Sequence, residues 1–364
     1  MWGRILALVV KELLSVWRDR KSRFVLIVPP LIQLAVFSYA ATYDVTDVTL
    51  ALFNQDQGLA SRELVARVQG SPTFARLMVV DSEAALAAAI DSRAAMAALR
   101  IPQDFSRRVA AGQGASVQLV LDGRRSNTAQ IAAGYLATII AEHNAALSAR
   151  TPPALVTRVW FNPNLESLWV VVPGLVGVLT QVVALVVTGL SVARERELGT
   201  FEQLLVTPLR PWEILVGKTA PGLLIGLFEG SIIVLASQIW FQVPLTGSPL
   251  LLYGALTVFL LCIIGVGLFI SALAATQQQA IMGAFFFLVP AIILSGFATP
   301  VQNMPDWLQA VTLVNPVRHF LVVLWGIFLK DLPAALVWQS VWPMALLAAL
   351  TLTGAAWLFR RRMH

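Results

Sequence analysis

The sequence predicts a membrane all-α protein: six transmembrane helices, an amphipathic N-terminal helix and an outer re-entrant hairpin, with a small extracytoplasmic α/β domain inserted after the first crossing. Three observations predict it. The 364 residues are 57% hydrophobic and 13% charged, with a mean hydropathy of +0.75, too apolar for a soluble globule of this length. Residues 44–166 break that pattern with eleven basic and eleven acidic side chains. A second polar stretch, residues 193–218, sets four acidic and four basic residues between two long apolar runs. The net charge of +6 does not indicate nucleic acid, because the basic residues gather at the ends of apolar segments, where they set orientation and meet anionic headgroups. Cys262 is the single cysteine and lies mid-segment, which excludes a disulfide within the chain, and three scattered histidines build no metal site.

Residues 1–23 place Trp2, Leu6, Val9, Leu13 and Val16 at alternating spacings of four and three, with Arg4, Lys11 and Arg18 on another face. This is an interfacial helix. A secretory signal peptide is the competing reading, with Ser38-Tyr39-Ala40-Ala41 as its small-residue site, but a charged lead of 23 residues is too long for one. Residues 24–43 are 20 residues without charge up to Tyr43, about 30 Å as a helix, and form the first crossing despite Pro29-Pro30. In residues 44–166, strands are expected near 48–53, 75–80, 95–101 and 116–121. Helices are expected near 59–69, 82–91, 103–111 and 127–149, capped by Ser82 and Ser126. Arg124-Arg125 reads as a solvated turn.

Residues 168–192 make the second crossing, with Gln181 inside it. The polar stretch 193–218 follows, and then the third crossing, 219–240. There Gly222, Gly226 and Gly230 form a small-residue stripe beside Glu229, the one acidic side chain inside a crossing. The fourth and fifth crossings are 250–275 and 280–298. Residues 299–337 are long enough to cross but are broken by Asn315-Pro316 and Arg318-His319. Charge decides for a re-entrant hairpin there. A seventh crossing would part Arg360-Arg361-Arg362, in the tail 360–364, from the basic amino terminus. The last crossing is 338–359, and both termini are cytoplasmic.

The polar stretch 193–218 has helix grammar: Thr200 can cap, Glu202 and Gln203 follow, Leu204-Leu205 give an apolar face, and Thr207-Pro208 stops it. Gly217-Lys218-Thr219 ends like a phosphate-binding loop, but Trp212 stands where that motif needs glycine. Lys218 therefore reads as a membrane-border anchor. The run Arg194-Glu195-Arg196-Glu197-Leu198-Gly199-Thr200-Phe201-Glu202-Gln203-Leu204-Leu205, with Thr207-Pro208 and Glu213 to Lys218, resembles the coupling helix of ABC-2 type exporter permeases. The likeness extends to Leu294-Ser295-Gly296-Phe297, Pro300, Met304-Pro305-Asp306-Trp307-Leu308 and Asn315-Pro316. It includes Gly134-Tyr135 and Trp160-Phe161-Asn162-Pro163, and departs at Trp325-Gly326.

The resemblance implies that Arg194, Glu195, Glu197, Gly199, Thr200, Glu202, Gln203, Leu204, Thr207 and Pro208 meet a separate ATPase. It implies two ATPase copies, which hold the ATP and magnesium, and a second permease of the same or a similar kind. No cofactor or metal is expected in this chain, and it is not expected to be an enzyme. A drug, a lipid or a similar amphipathic molecule would move outward across the bacterial inner membrane, with Gln181, Glu229, Asn315 and Pro316 as candidate pathway residues. The 44–166 domain is a candidate surface for a periplasmic adaptor, and membrane lipid is a further partner. Two other functions compete: a non-transporting mechanotransmission subunit, and an ion-coupled secondary transporter. The second normally needs several intramembrane titratable groups, where this sequence has one.

Overall fold

A computed structural model describes residues 2–18, 20–40, 48–71, 73–74, 76–92, 94–122, 126–147, 161–162, 166–200 and 210–362. The chain divides into two compact units, one of Met1–Thr42 with Val159–His364 and the other Tyr43–Arg158. In the first unit α1 spans Trp2–Arg18 and α2 spans Arg20–Ala40. The basic residues Arg20, Lys21 and Arg23, assigned by sequence to the interfacial helix, lie instead in α2. Pro29 and Pro30 lie inside α2, and Val28–Tyr39 is its apolar part.

The second unit alternates strand and helix: β1 (Thr49–Asn54), α3 (Leu59–Gln69), β2 (Arg76–Val79), α4 (Glu83–Asp91), β3 (Ala97–Ile101), α5 (Phe105–Ala110), β4 (Gln118–Leu121) and α6 (Ser126–Leu147). The sheet order is β2-β1-β3-β4, with β1 parallel to both β2 and β3, and β4 antiparallel to β3. Alternate strand residues serve opposite faces. Leu50, Leu52, Leu99 and Ile101 meet Leu64 and Val68 of α3 and Leu136 of α6, while Ala51, Phe53 and Ala98 meet Leu86 and Ala89 of α4. Ser82 caps α4 by accepting from Ala85 N–H at 3.1 Å. Ser126, expected to be a cap, is the first helical residue of α6.

The rest of the first unit comprises α7 (Leu168–Glu197), α8 (Pro211–Ile239), α9 (Pro249–Leu273), α10 (Gln277–Ile293), α11 (Asp306–Val311), α12 (Pro316–Lys330) and α13 (Ala334–Arg362). Four of these, α7, α8, α9 and α13, are long and apolar enough to cross a membrane, so this is a multi-pass membrane protein. Residues Asp306–Val314 and Pro316–Lys330 pass the same test only together, bent by 84° at Asn315. The fifth expected crossing, 280–298, is the shorter helix α10. It begins at Gln277 because Thr276 accepts from Gln279 N–H, and it ends at Ile293.

Two boundaries move by most of a helical turn or more. Arg194–Glu197, expected in the polar stretch, forms the last turn of α7, because nothing between Val192 and Gly199 breaks a helix. Gly199 then adopts φ +68°. Its N–H donates to Arg196 O at 3.1 Å and Thr200 N–H donates to Glu195 O at 2.9 Å, the paired bonds of a glycine-terminated helix. At the other side of the stretch α8 starts at Pro211, eight residues before the expected crossing, with Glu213 Oε2 accepting from Arg210 N–H at 2.8 Å.

Bundle packing centres on α7 and α9. Val172, Leu175, Val176, Leu179 and Leu185 of α7 and Leu256, Phe259, Leu260 and Ile264 of α9 are all fully or almost fully buried in one core with Phe320, Leu321 and Leu324 of α12. Phe259 and Phe320 stack with ring centroids 4.4 Å apart. At Trp325-Gly326, where the family pattern lapses, Trp325 Nε1 donates to Val170 O at 2.9 Å.

Candidate functional site

The last turn of α7 gathers four helices. Successive residues of an α-helix point about 100° apart, so three in a row reach three directions. Glu195 turns to α1 and α8: Lys11 Nζ donates to its Oε1 at 2.9 Å, and Lys218 Nζ lies 2.7 Å from its Oε2. Arg196 turns to α9, donating from Nη1 to Ala272 O at 2.8 Å and Ala274 O at 3.0 Å, where the helix end leaves carbonyls unfilled. Glu197 turns to α10 and accepts from Gln277 N–H at 2.8 Å, a carboxylate on the positive end of a helix.

Lys218 is 2% exposed. It also reaches Glu12 Oε1 at 3.3 Å and Ser191 Oγ at 3.1 Å. The expectation that it anchors the membrane border is therefore corrected. The lysine is drawn inward because Glu195 and Glu12 lie within ion-pair distance and Glu12 and Ser191 accept its hydrogen bonds, which a headgroup position would forgo. Leu8 of α1 packs against Gly217, where a Cβ would come within 2.3 Å of it, and this close approach holds α1 on α8. Burial works to lower the Lys11 pKa, but the hydrogen bond and charge of Glu195, with Glu12, outweigh it and raise it above 10.5. That contribution to stability is complete below pH 10.5 and is lost as pH rises past the folded value.

Of the residues that the family resemblance implies at an ATPase contact, Arg194, Glu195, Glu197, Gly199 and Thr200 are brought together at this helix end. The Thr200 hydroxyl donates back to Glu195 O at 3.3 Å, and the segment that it was expected to cap lies outside the described residues. Glu202, Gln203, Leu204, Thr207 and Pro208 lie outside the described residues. Sequence reasoning missed Lys11, Glu12 and Ser271, whose Oγ accepts from Val192 and Ala193 N–H at 3.0 and 3.1 Å. Adjacent opposite charges on the polar face of α1 were the only signal, and pairing across 184 residues leaves no local pattern.

The candidate pathway residues lie deeper. Gln181 is fully buried and Glu229 is 6% exposed, and neither side chain has a hydrogen-bond partner among the described residues. A Cβ on Gly230 would meet Thr180 Cγ2 at 3.3 Å, which sets Glu229 and Gln181 at one level of the bundle. Asn315 reaches about the same level. Its Nδ2 donates to Ala291 O at 2.7 Å, and Ala291 lies 14 residues along α10 from Gln277, which bonds Glu197. That rise of about 21 Å brings it abreast of Val183 on the antiparallel α7. Asn315 Oδ1 also accepts from Val317 N–H at 3.1 Å, and Pro316 opens α12, so both residues build the helix start.

Comparison with known proteins agrees with this architecture. Residues 20–357 match the family described as ABC-2 family transporter protein. The chain is 44% identical over 368 residues to the probable multidrug ABC transporter permease YbhR of Escherichia coli (strain K12), covering 100% of both chains. It is 32% identical over 373 residues to the probable multidrug ABC transporter permease YbhS of the same organism, covering 99% of this chain and 97% of that one. The inner membrane transport permease YhhJ of that organism is 29% identical over 377 residues, with 98% and 97% covered. A family match that takes in almost every crossing helix, together with end-to-end likeness to YbhR, means that the chain belongs to the ABC-2 transporter family, as a membrane permease of the ABC class.

Proposed function

We propose that this permease is the membrane subunit of an ATP-driven exporter that moves a hydrophobic or amphipathic substrate, such as a drug or lipid, out of the cytoplasm or inner leaflet. ATP and magnesium are handled by a separate ATPase in two copies, and a second permease of the same or a similar kind completes the pathway. The observation that carries the reading is the helix end at Glu195-Arg196-Glu197. It ties α1, α8, α9 and α10 to the start of the segment 201–209 that joins α7 to α8. A load on that segment is passed to four helices at once. The names of YbhR and YbhS support a drug-like substrate.

In this reading the six crossings are α2, α7, α8, α9, α10 and α13, and residues 299–337 are re-entrant. Both termini and the segment 193–218 lie in the cytoplasm of a bacterial cell with the inner membrane as host. The domain 44–166 lies outside and offers a face to a periplasmic adaptor. The asymmetry of arginine and lysine supports the orientation.

Two experiments test this function. Glu202→Arg is expected to abolish co-purification with the ATPase and substrate-stimulated hydrolysis, while the unfolding temperature is kept. Normal values for both would move the contact elsewhere. In a Cys262→Ala background, Ser92→Cys and Gln309→Cys should react with an impermeant thiol reagent in intact spheroplasts and Gln203→Cys should not; the reverse pattern inverts the topology.

A further inference from the structure

The sheet of the 43–158 unit ends on one side at β2, in the order β2-β1-β3-β4. Leu52 is paired with Val79 in the parallel register, and its O accepts from Val80 N–H at 2.9 Å. In such a ladder alternate residues turn their backbone groups to opposite sides. Arg76 and Met78 therefore bond β1, while the N–H and C=O of Leu77 and Val79 point away from the sheet. Among the described residues these groups have no backbone partner. An open edge is normally blunted by a charge or a proline, because it pairs with any strand that reaches it. The run Leu77-Met78-Val79-Val80 carries neither, and it is bounded by Arg76 and Asp81.

The side chains are as open as the backbone. Val79 lies beside Leu52, on the face that α3 and α6 cover, yet it is 76% exposed; Met78 lies beside Ala51, on the α4 face, and is 36% exposed. A strand added here must offer its own free groups at the same two-residue period. β2 of a second copy does so when it runs antiparallel with a twofold axis at Met78. Leu77 of each copy then exchanges both bonds with Val79 of the other, Met78 faces Met78, and Arg76 faces Val80. Each exposed Val79 is covered by the Leu77 opposite. Charge sets the direction, because antiparallel pairing carries the Arg76 end of one strand toward the Asp81 end of the other, whereas parallel pairing would set Arg76 beside Arg76. The antiparallel pair is also closed: it uses the same edge twice and leaves none to recruit a third chain.

We propose that β2 is the edge at which the 43–158 units of two copies of this permease join, so that their sheets run on as one through an antiparallel β2–β2 pair centred on Met78. The proposal rests on the reading that two permeases pair in the membrane. So short an edge holds two chains only where they are already kept at high effective concentration, which membrane pairing supplies.

Disulfide trapping tests it, in isolated membranes containing the full-length chain in a Cys262→Ala background. Met78→Cys is expected to give a dimer-sized product under mild oxidation, because a non-hydrogen-bonded antiparallel pair brings Cβ atoms to about 4.5 Å. Arg76→Cys stands about 13 Å along the strand from its own copy and should stay monomeric on a denaturing gel. Adding Val79→Pro to Met78→Cys should lower the cross-linked fraction about tenfold at an unchanged unfolding temperature, since the N–H it removes points away from β1. Val79→Lys changes only a side chain that is mostly exposed, and it should lower the fraction likewise. Native mass spectrometry of the Cys262→Ala protein separates this proposal from the pairing on which it rests. A dimer by mass with no Met78→Cys product would overturn the β2 pair and leave membrane pairing standing, whereas a monomer by mass with no product would overturn both. Equal product from Met78→Cys and Arg76→Cys, product that survives both Val79 substitutions, or product with a protein of another mass would each overturn the β2 pair.

Discussion

Lys218 carries its charge with no exposed side-chain surface, and its match to Glu195 and Glu12 is what makes that position tenable. Removing one member of such a group leaves the others buried and uncompensated, at a cost of about 3–5 kcal/mol. Lys218→Met is therefore expected to lower the unfolding temperature of the detergent-purified protein sharply, and the double variant Lys218→Met with Glu195→Gln should recover most of the loss. The sequence displayed these charges but not their pairing, because a lysine at the start of an apolar run looks the same whether it reaches out to headgroups or in to a carboxylate.

In the 43–158 unit two further residues set a pH response. His143 is 1% exposed, and burial, aided by the charge of Arg67, lowers its pKa below 6.5. Burial works to raise the Asp56 pKa, but bonds from the Ser106 and Ser61 hydroxyls and from the Ser106 and Gly58 backbone lower it below 3.8. Both folded values are depressed, so each group stabilises the fold above its unfolded value and loses that contribution as pH falls toward the folded one. Stability should thus fall first below about pH 6.5 and again below about pH 3.8. His143→Leu should remove the first phase only, and thermal melts across pH are the measurement.

At the scale of elements, small residues decide which helices touch. On α8 a Cβ at Gly222, Gly226 or Gly230 would come within 2.7, 2.7 and 2.9 Å of Thr188 Cγ2, Leu260 Cδ2 and Leu256 Cδ2. The stripe was legible from its four-residue period, but its partners were not. It serves α7 and α9 together. Leu260 is fully buried and has nowhere to move, so Gly226→Val should cost about 1–3 kcal/mol by overpacking. Gly254→Ala, with nothing within 4 Å of the new atom, should be neutral in the same melt. The strands and helices of the 43–158 unit were legible within a few residues because alternation and capping are local. The helix ends of the bundle were not. Arg194–Glu197 has the composition of a loop, yet charged residues with good helix propensity simply prolong α7 until Gly199 stops it.

For the whole molecule, the residues singled out for a pathway come from three separated parts of the chain and meet at one depth. Gln181 lies on α7, Glu229 on α8, and Asn315 where α12 begins near the end of α10. Sequence could name these polar groups because they stand out in apolar runs, but common depth is a property of the assembled bundle. Asn315 is satisfied, with bonds to Ala291 and Val317, and so has a structural task. Glu229 and Gln181 have no such bonds among the described residues, and a carboxylate at this depth costs on the order of 2.5–3.5 kcal/mol even on mild insertion scales. A group kept at that cost without a structural bond is suited to meeting a cation or a proton in transit. Glu229→Gln keeps size and hydrogen-bonding capacity but removes the charge. In proteoliposomes containing the permease and its ATPase, this variant should export a neutral amphiphile at the normal rate and a cationic one about tenfold more slowly. Equal, undiminished export of both at normal expression would instead make Glu229 a packing residue beside the glycine stripe, since only a role that uses the charge separates the two substrates.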